Sequence, residues 1–158
     1  MIIIIMGVSG AGKTTVGRML AVRLCCEFYD ADHFHSKENI EKMNSGIPLT
    51  DSDRLPWLYS IQDLIKQQNG NAVIACSALK KSYRVMLDVP DKNVVCVYLK
   101  GDKKILLKRL LDRAGHYAGA NLLDSQLEAL EEPEEALTFD IVTSPEDIVE
   151  GIIKQTDL

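Results

Sequence analysis

The residues Gly7-Val8-Ser9-Gly10-Ala11-Gly12-Lys13-Thr14 form a complete G-x-x-x-x-G-K-[ST] loop. No other stretch constrains the chain as tightly, because the motif works only between a buried strand and the first turn of a helix. Its glycines let backbone N–H groups close on phosphates, its lysine reaches the β and γ oxygens, and its last hydroxyl can ligate Mg²⁺. Both flanks comply: Ile2 to Ile5 is a β-branched run, and an apolar-periodic stretch extends from Thr15 to Leu24. The expected ATP-binding set is Gly7, Val8, Ser9, Gly10, Ala11, Gly12, Lys13, Thr14 and Thr15, with Lys13 also catalytic and Thr14 a metal ligand. The loop specifies a nucleoside triphosphate, with ATP the expected one, and leaves the phosphoryl acceptor open.

A chain of 158 residues, 46% apolar and 26% charged, is expected to form one folded domain with a sizeable core. The net charge of −5 argues against nucleic acid or an anionic membrane as the main partner. The apolar start, Met1 to Val8, is too short to cross a bilayer and lacks the basic flank and cleavage site of a leader. It reads as a buried parallel strand. Cys25, Cys26, Cys76 and Cys96 show neither a C-x-x-C pair nor metal-ligand spacing, which points to reduced thiols in a cytoplasmic protein.

Strand-like runs alternate with helical patterns along the whole chain. Strands are expected at Ile2–Met6, Glu27–Tyr29, Ala72–Cys76, Val94–Leu99 and Thr138–Val142. Helices are expected from the phosphate loop to about Cys25, over Lys37 to Asn44 behind Ser36, and from Pro56 towards Gly70. Others run over Lys80 to Leu87, from Asp102 towards Gly115, and from Ser144-Pro145-Glu146-Asp147, an N-cap followed by Pro at the first position. The implied class is α/β: a five-stranded parallel sheet with flanking helices, its ligands beyond the carboxyl ends of the strands.

Chemistry is therefore sought after each strand. Asp30-Ala31-Asp32 follows the second. On an extended segment its two acids face the same way. Asp30 suits a water of the Mg²⁺ shell, and Asp32 suits the proton of an attacking hydroxyl; a solvated turn or helix cap is the alternative. His35 is a candidate substrate contact and His33 a surface residue. Arg54 can fork onto a carboxylate, and Lys80, Tyr83 and Arg84 add basic and hydroxyl groups to the same rim. Such a rim suits an anionic substrate, unless its cations merely pair with surface acids. Arg109 and Arg113 lie one helical turn apart and lead into Gly115-His116-Tyr117-Ala118-Gly119, a pattern suited to a lid over ATP; surface decoration is the alternative. Thr143-Ser144-Pro145 follows the last strand, where adenine could pack. Neither the paired GTPase motifs nor the protein-kinase loop and lysine strand occur.

Together these segments resemble the gluconokinase family, small kinases with this phosphate loop. The matching pieces include Met6 to Thr15, Phe28 to Asp32, His35, Asn39, Lys42-Met43 and Gly46 to Asp51. The match continues through Asp53-Arg54, Pro56-Trp57-Leu58, Cys76 to Lys81, Tyr83-Arg84, Arg113, Gly115-His116-Tyr117, Leu123, Ser125-Gln126 and Glu131 to Pro133. The resemblance implies a fold like that of shikimate kinase and the nucleoside monophosphate kinases, with a substrate-binding helical region over about residues 33–70 and a lid over about 113–124. It implies ATP-dependent phosphorylation of D-gluconate at its 6-hydroxyl, Mg²⁺ as cofactor and a homodimer. It also implies Asp32 as base, Arg113 as a catalytic lid residue and Arg109 near adenine, with His35, Arg54, Lys80, Arg84 and Gln126 around the substrate. His33, and Ser36 in place of a common proline, depart from the family pattern beside the substrate pocket. Leu111 to Ala114 lacks a basic residue that the lid often carries. Related kinases for shikimate or another sugar acid, and a non-catalytic ATP-binding regulator, are the competing readings.

Overall fold

The computed structural model describes residues 1–90, 92–114 and 118–158, and the backbone alone at 113, 114 and 118–121. Strands β1 (Ile2–Met6), β2 (Glu27–Asp30), β3 (Ala72–Ala75), β4 (Val94–Lys100) and β5 (Leu137–Asp140) form one parallel sheet in the order β2-β3-β1-β4-β5. Helices α1 (Lys13–Arg23), α2 (Lys37–Asn44), α3 (Asp51–Gln67), α4 (Lys81–Leu87), α5 (Lys103–Ala114), α6 (Ala118–Ala129) and α7 (Pro145–Thr156) account for the helical residues, with a 3₁₀ turn at Ala31–Phe34.

β1 occupies the centre, flanked by β3 and β4, and all five of its side chains are buried. Side chains alternate across the sheet, so the unbroken apolar run fills two cores at once. Ile3 and Ile5 pack with Val16 and Leu20 of α1, Leu106 of α5, and Ile148 and Ile152 of α7. Ile2, Ile4 and Met6 pack on the other face with Trp57, Leu58, Ile61 and Ile65 of α3, and with Tyr83 and Leu87 of α4. Each such burial is worth roughly 1.5–3 kcal/mol, which holds the phosphate loop at the middle of the sheet edge.

The third helix begins at Asp51 and not at Pro56. Thr50 accepts the Asp53 N–H at 3.1 Å, and the Asp53 carboxylate accepts the Thr50 N–H at 2.9 Å. This reciprocal box starts the helix early and leaves Pro56 inside it, where its missing N–H costs the Ser52 carbonyl its helical partner close to an exposed end. The last strand ends at Asp140, whose carboxylate accepts the Val142 N–H and turns the chain. The sequence pattern also missed α6. Gly119 suggested a loop, yet Leu123 of this helix is fully buried in the first core. Ser36 caps α2 by accepting the Asn39 N–H at 3.2 Å, which accounts for a serine at that position.

Candidate active site

The phosphate loop runs from the end of β1 to the start of α1. Gly7 has φ +147°, and a Cβ there would lie 2.9 Å from the Leu99 carbonyl oxygen, so no larger residue fits. Gly12 caps α1 in the left-handed region without a side chain of its own. The N–H groups of the first turn, Lys13 to Thr15, are thereby left for an anion, and the helix dipole favours one. The Lys13 ammonium lies back over the loop, donating to the Val8 carbonyl at 3.1 Å. Val8 and Ala11 are buried, with the Ala11 N–H donating to the Val8 carbonyl, and this turn shapes the loop.

Thr14 and Asp30 meet: the hydroxyl donates to Oδ2 at 3.1 Å. Hydroxyl and carboxylate oxygens form a donor set suited to a hard cation such as Mg²⁺. Among the described residues no cluster of three His, Cys, Asp or Glu could cage a metal by itself. A cation here fits only as one carried in on phosphate oxygens, with few protein ligands. Asp32 is not on an extended segment. It lies in the 3₁₀ turn, held by its N–H donating to Asp30 Oδ1 at 3.1 Å, so one carboxylate both receives Thr14 and caps the turn that carries Asp32. Asp32 is exposed, and both it and Lys13 act electrostatically on the thiol of buried Cys76, which burial pushes up to about 12.

Beyond the turn that bears Asp32, residues of α2, α3 and the start of α4 form a second polar cluster. His35 stacks on Trp57 with ring centroids 4.5 Å apart and planes 10° from parallel. Trp57 is 2% exposed and donates its indole N–H to the Ala31 carbonyl at 2.7 Å, tying α3 to the turn that bears Asp32. Arg54 donates to the Leu49 carbonyl at 2.6 Å, and its guanidinium lies 5.9 Å from the centre of the Tyr83 ring. Lys80 lies 5.8 Å from the same ring. The rim is not purely cationic: Asp51 accepts from Lys80 at 2.8 Å and from the Tyr83 hydroxyl. These two hydrogen bonds hold the Asp51 carboxyl below its ordinary range, while burial first and Asp51 second raise the Tyr83 hydroxyl. Lys42 grips Asp53 at 2.8 and 2.9 Å and, with the Thr50 cap, lowers that carboxyl to about 2.

Two candidates, Arg84 and Gln126, lie elsewhere than the sequence suggested. The Arg84 guanidinium turns to the Ala78 and Leu79 carbonyls, 3.0 Å from each, and lines a groove of about 390 Å³ with Cys96 and Glu131 to Glu135. Gln126 clasps the phosphate loop: its carbonyl accepts the Ser9 N–H at 2.7 Å and its amide donates to the Ser9 hydroxyl at 3.0 Å. Both of its polar atoms are thus on the donor side and not on the rim. Arg109 donates to the Ile141 carbonyl at 2.7 Å beside Gly12, bridging the phosphate loop and the segment after β5. The side chain of Arg113, and Gly115-His116-Tyr117, lie outside the described residues. His33 is exposed. Asn39 and Asp51 carry weight here that no local pattern indicates, because their partners come from other elements.

A parallel sheet of this strand order, with the phosphate loop leaving its central strand, makes the chain a P-loop kinase, an ATP-using phosphotransferase. The shikimate kinase family model matches residues 9–150. A probable gluconokinase from Dictyostelium discoideum is 46% identical over 96% of this chain and 84% of its own length. The thermoresistant gluconokinase of Escherichia coli (strain K12) is 40% identical over 98% and 90%. The crystal structure of a gluconokinase from Sinorhizobium meliloti 1021 superposes with a TM-score of 0.86 at 40% identity, covering 94% of this chain and 86% of that one. The chain belongs to the shikimate kinase family and, within it, to the gluconokinases.

Proposed function

We propose that the chain transfers the γ-phosphoryl group of ATP to the 6-hydroxyl of D-gluconate, giving 6-phosphogluconate and ADP. The observation that carries this reading is a polar cluster beyond β2 and β3: Arg54 and Lys80 flank the Tyr83 ring, His35 lies flat on Trp57, and Asp32 and Arg54 both act electrostatically on His35. Cations, a phenol and an imidazole suit a carboxylate that also bears a row of hydroxyls. In the reaction the O6–Pγ bond forms, the bond from Pγ to the β–γ bridging oxygen breaks, and the O6 proton passes to Asp32. Lys13 and the N–H groups at the start of α1 hold the phosphates, and Arg109 borders the adenine. Mg²⁺, held through Thr14 and through a water on Asp30, would neutralise charge on the β and γ oxygens when bound. The region over about residues 33–70 serves as the acceptor module, about 113–124 as the lid, and Arg113 as a lid cation on the transferring group. We also infer a homodimer working in the cytoplasm without nucleic-acid or membrane partners. All four thiols are free, and among the described residues no helix is long and apolar enough to cross a membrane.

Because phosphoryl transfer rests on positioning and charge neutralisation, the acceptor pocket sets the choice of substrate. The test is an ADP-release assay with Mg-ATP across gluconate, shikimate and related sugar acids, with the product identified by mass. Turnover confined to gluconate is the expected result. Silence with gluconate alongside turnover of another acid would overturn the assignment.

A further inference from the structure

Asn39 is a buried polar residue, 6% exposed, whose amide bears on a neighbouring imidazole. Its Nδ2 lies 2.8 Å from the Asp53 carbonyl oxygen. A carbonyl only accepts, so the atom facing it is the NH₂ group and the amide orientation is determined. The same Nδ2 lies 3.4 Å from His35 Nδ1. The same NH₂ group has a second hydrogen available to that ring nitrogen, a contact that matches a ring whose Nδ1 accepts and whose proton resides on Nε2. The stack on Trp57 sets the plane of the ring, and Asn39 sets its rotation within that plane.

We propose that Asn39 is a positioning residue that locks His35 as a neutral Nε2–H donor, so that this nitrogen meets an oxygen of the acceptor as a directional donor and not as a cation. The proposal rests on the reading of His35 as an acceptor contact. Nε2 sits across the ring from the Asn39 contact. Protonation of Nδ1 would set an N–H against the Asn39 NH₂ and break the link to α2. Two charged groups act on the ring from neighbouring elements: Asp32 in the 3₁₀ turn favours the imidazolium, and Arg54 on α3 opposes it. Burial opposes it more strongly than either and carries the ring below its ordinary value, in the same direction as the Asn39 contact. Asn39 itself is held from two sides, by Asp53, which Lys42 grips, and by Ser36, which accepts its N–H.

Three variants and one spectrum test this. Long-range ¹H–¹⁵N spectra of the unliganded protein are expected to show His35 with a pyridine-type Nδ1 and a protonated Nε2. Asn39→Asp offers a carboxylate to Nδ1–H, so the His35 midpoint should rise above about 6.5 and the tautomer should switch. Asn39→Ala should raise the gluconate KM about 3–10-fold, the loss of one oriented hydrogen bond, with kcat and the ATP KM within about twofold. An unchanged ATP KM also certifies that the variant is folded. A wild-type ring protonated on Nδ1, or Asn39 variants that move neither the ring spectrum nor the gluconate KM, overturns the proposal. If His35→Ala leaves the gluconate KM unchanged while the wild-type ring is Nε2–H, the placement of His35 at the acceptor fails and the tautomer lock stands.

Discussion

Gln126 joins α6 to the donor half of the site through two hydrogen bonds to one residue, 2.7 Å from the Ser9 N–H and 3.0 Å to the Ser9 hydroxyl. Both are partly buried, and a typical net worth of ~0.5–1.5 kcal/mol each gives about 1–3 kcal/mol for the clasp. Gln126→Ala removes both. For a domain of this length each kcal/mol moves Tm by about 2–4 °C, so a fall of about 2–12 °C is expected, read by circular dichroism melts without nucleotide. Gln126→Glu separates geometry from charge. One carboxylate oxygen can still accept the Ser9 N–H, and the other can accept the Ser9 O–H once that hydroxyl turns from acceptor to donor, so most of the stability should be retained. A negative charge now adjoins a loop built for a triphosphate, and the ATP KM should rise about 5–150-fold, in keeping with like-charge repulsion of about 1–3 kcal/mol in a partly buried site. Steady-state kinetics at saturating acceptor provide that number. If Gln126→Ala melts with the wild type and Gln126→Glu keeps the wild-type ATP KM, the clasp has no bearing on the phosphate loop and the reasoning is refuted.

Four further expectations follow from the other contacts of the site. Asp32→Asn should lose most of its turnover while ATP binding, measured by calorimetry, is retained, and Lys13→Ala should lose turnover by orders of magnitude; near-normal rates in either would dismiss the role assigned to it. Trp57→Phe leaves the Ala31 carbonyl without its buried donor and opens space beneath His35, so denaturant unfolding should register about 2–4 kcal/mol of lost stability. The Asp53 carboxyl is held at about 2, below its unfolded value, so its stabilising contribution is complete above the unfolded range and disappears as pH falls towards 2. Melts of the wild type and Asp53→Asn should therefore differ at neutral pH and converge near pH 2, and a gap independent of pH would assign the effect to the cap geometry alone.

Periodicity and the loop motif were enough to recover the architecture. The helix Lys37–Asn44 and the serine caps at Ser36 and Ser144 follow from near-neighbour chemistry, and the structure has them as the residues predict. The errors have two causes, a stronger local signal and a contact that no local signal reports. Pro56 looked like a first-turn proline because its sequence neighbours permit that, whereas the Thr50–Asp53 box, also local, outweighed it and began the helix earlier. Gly119 looked like a loop because nothing nearby reveals that Leu123 is buried in the core. Asp32 follows directly on β2, but the two acids do not face the same way on an extended segment: Asp32 lies in a 3₁₀ turn capped by Asp30.

From the residues alone came a nucleotide loop, a parallel sheet and the set of polar side chains that could serve a phosphoryl acceptor. These properties depend on motif and period, which are written within a few residues of one another. Only the tertiary structure decided how that set divides. It paired Lys80 and Tyr83 with Asp51, turned Arg84 to the carbonyls of its own loop, assigned Gln126 to Ser9 and laid His35 flat on Trp57 under the control of Asn39. The physical reason is that a hydrogen-bonding side chain goes to the strongest partner within reach, and packing determines what is within reach. Ser9 and Gln126 stand 117 residues apart in the chain and 2.7 Å apart in space.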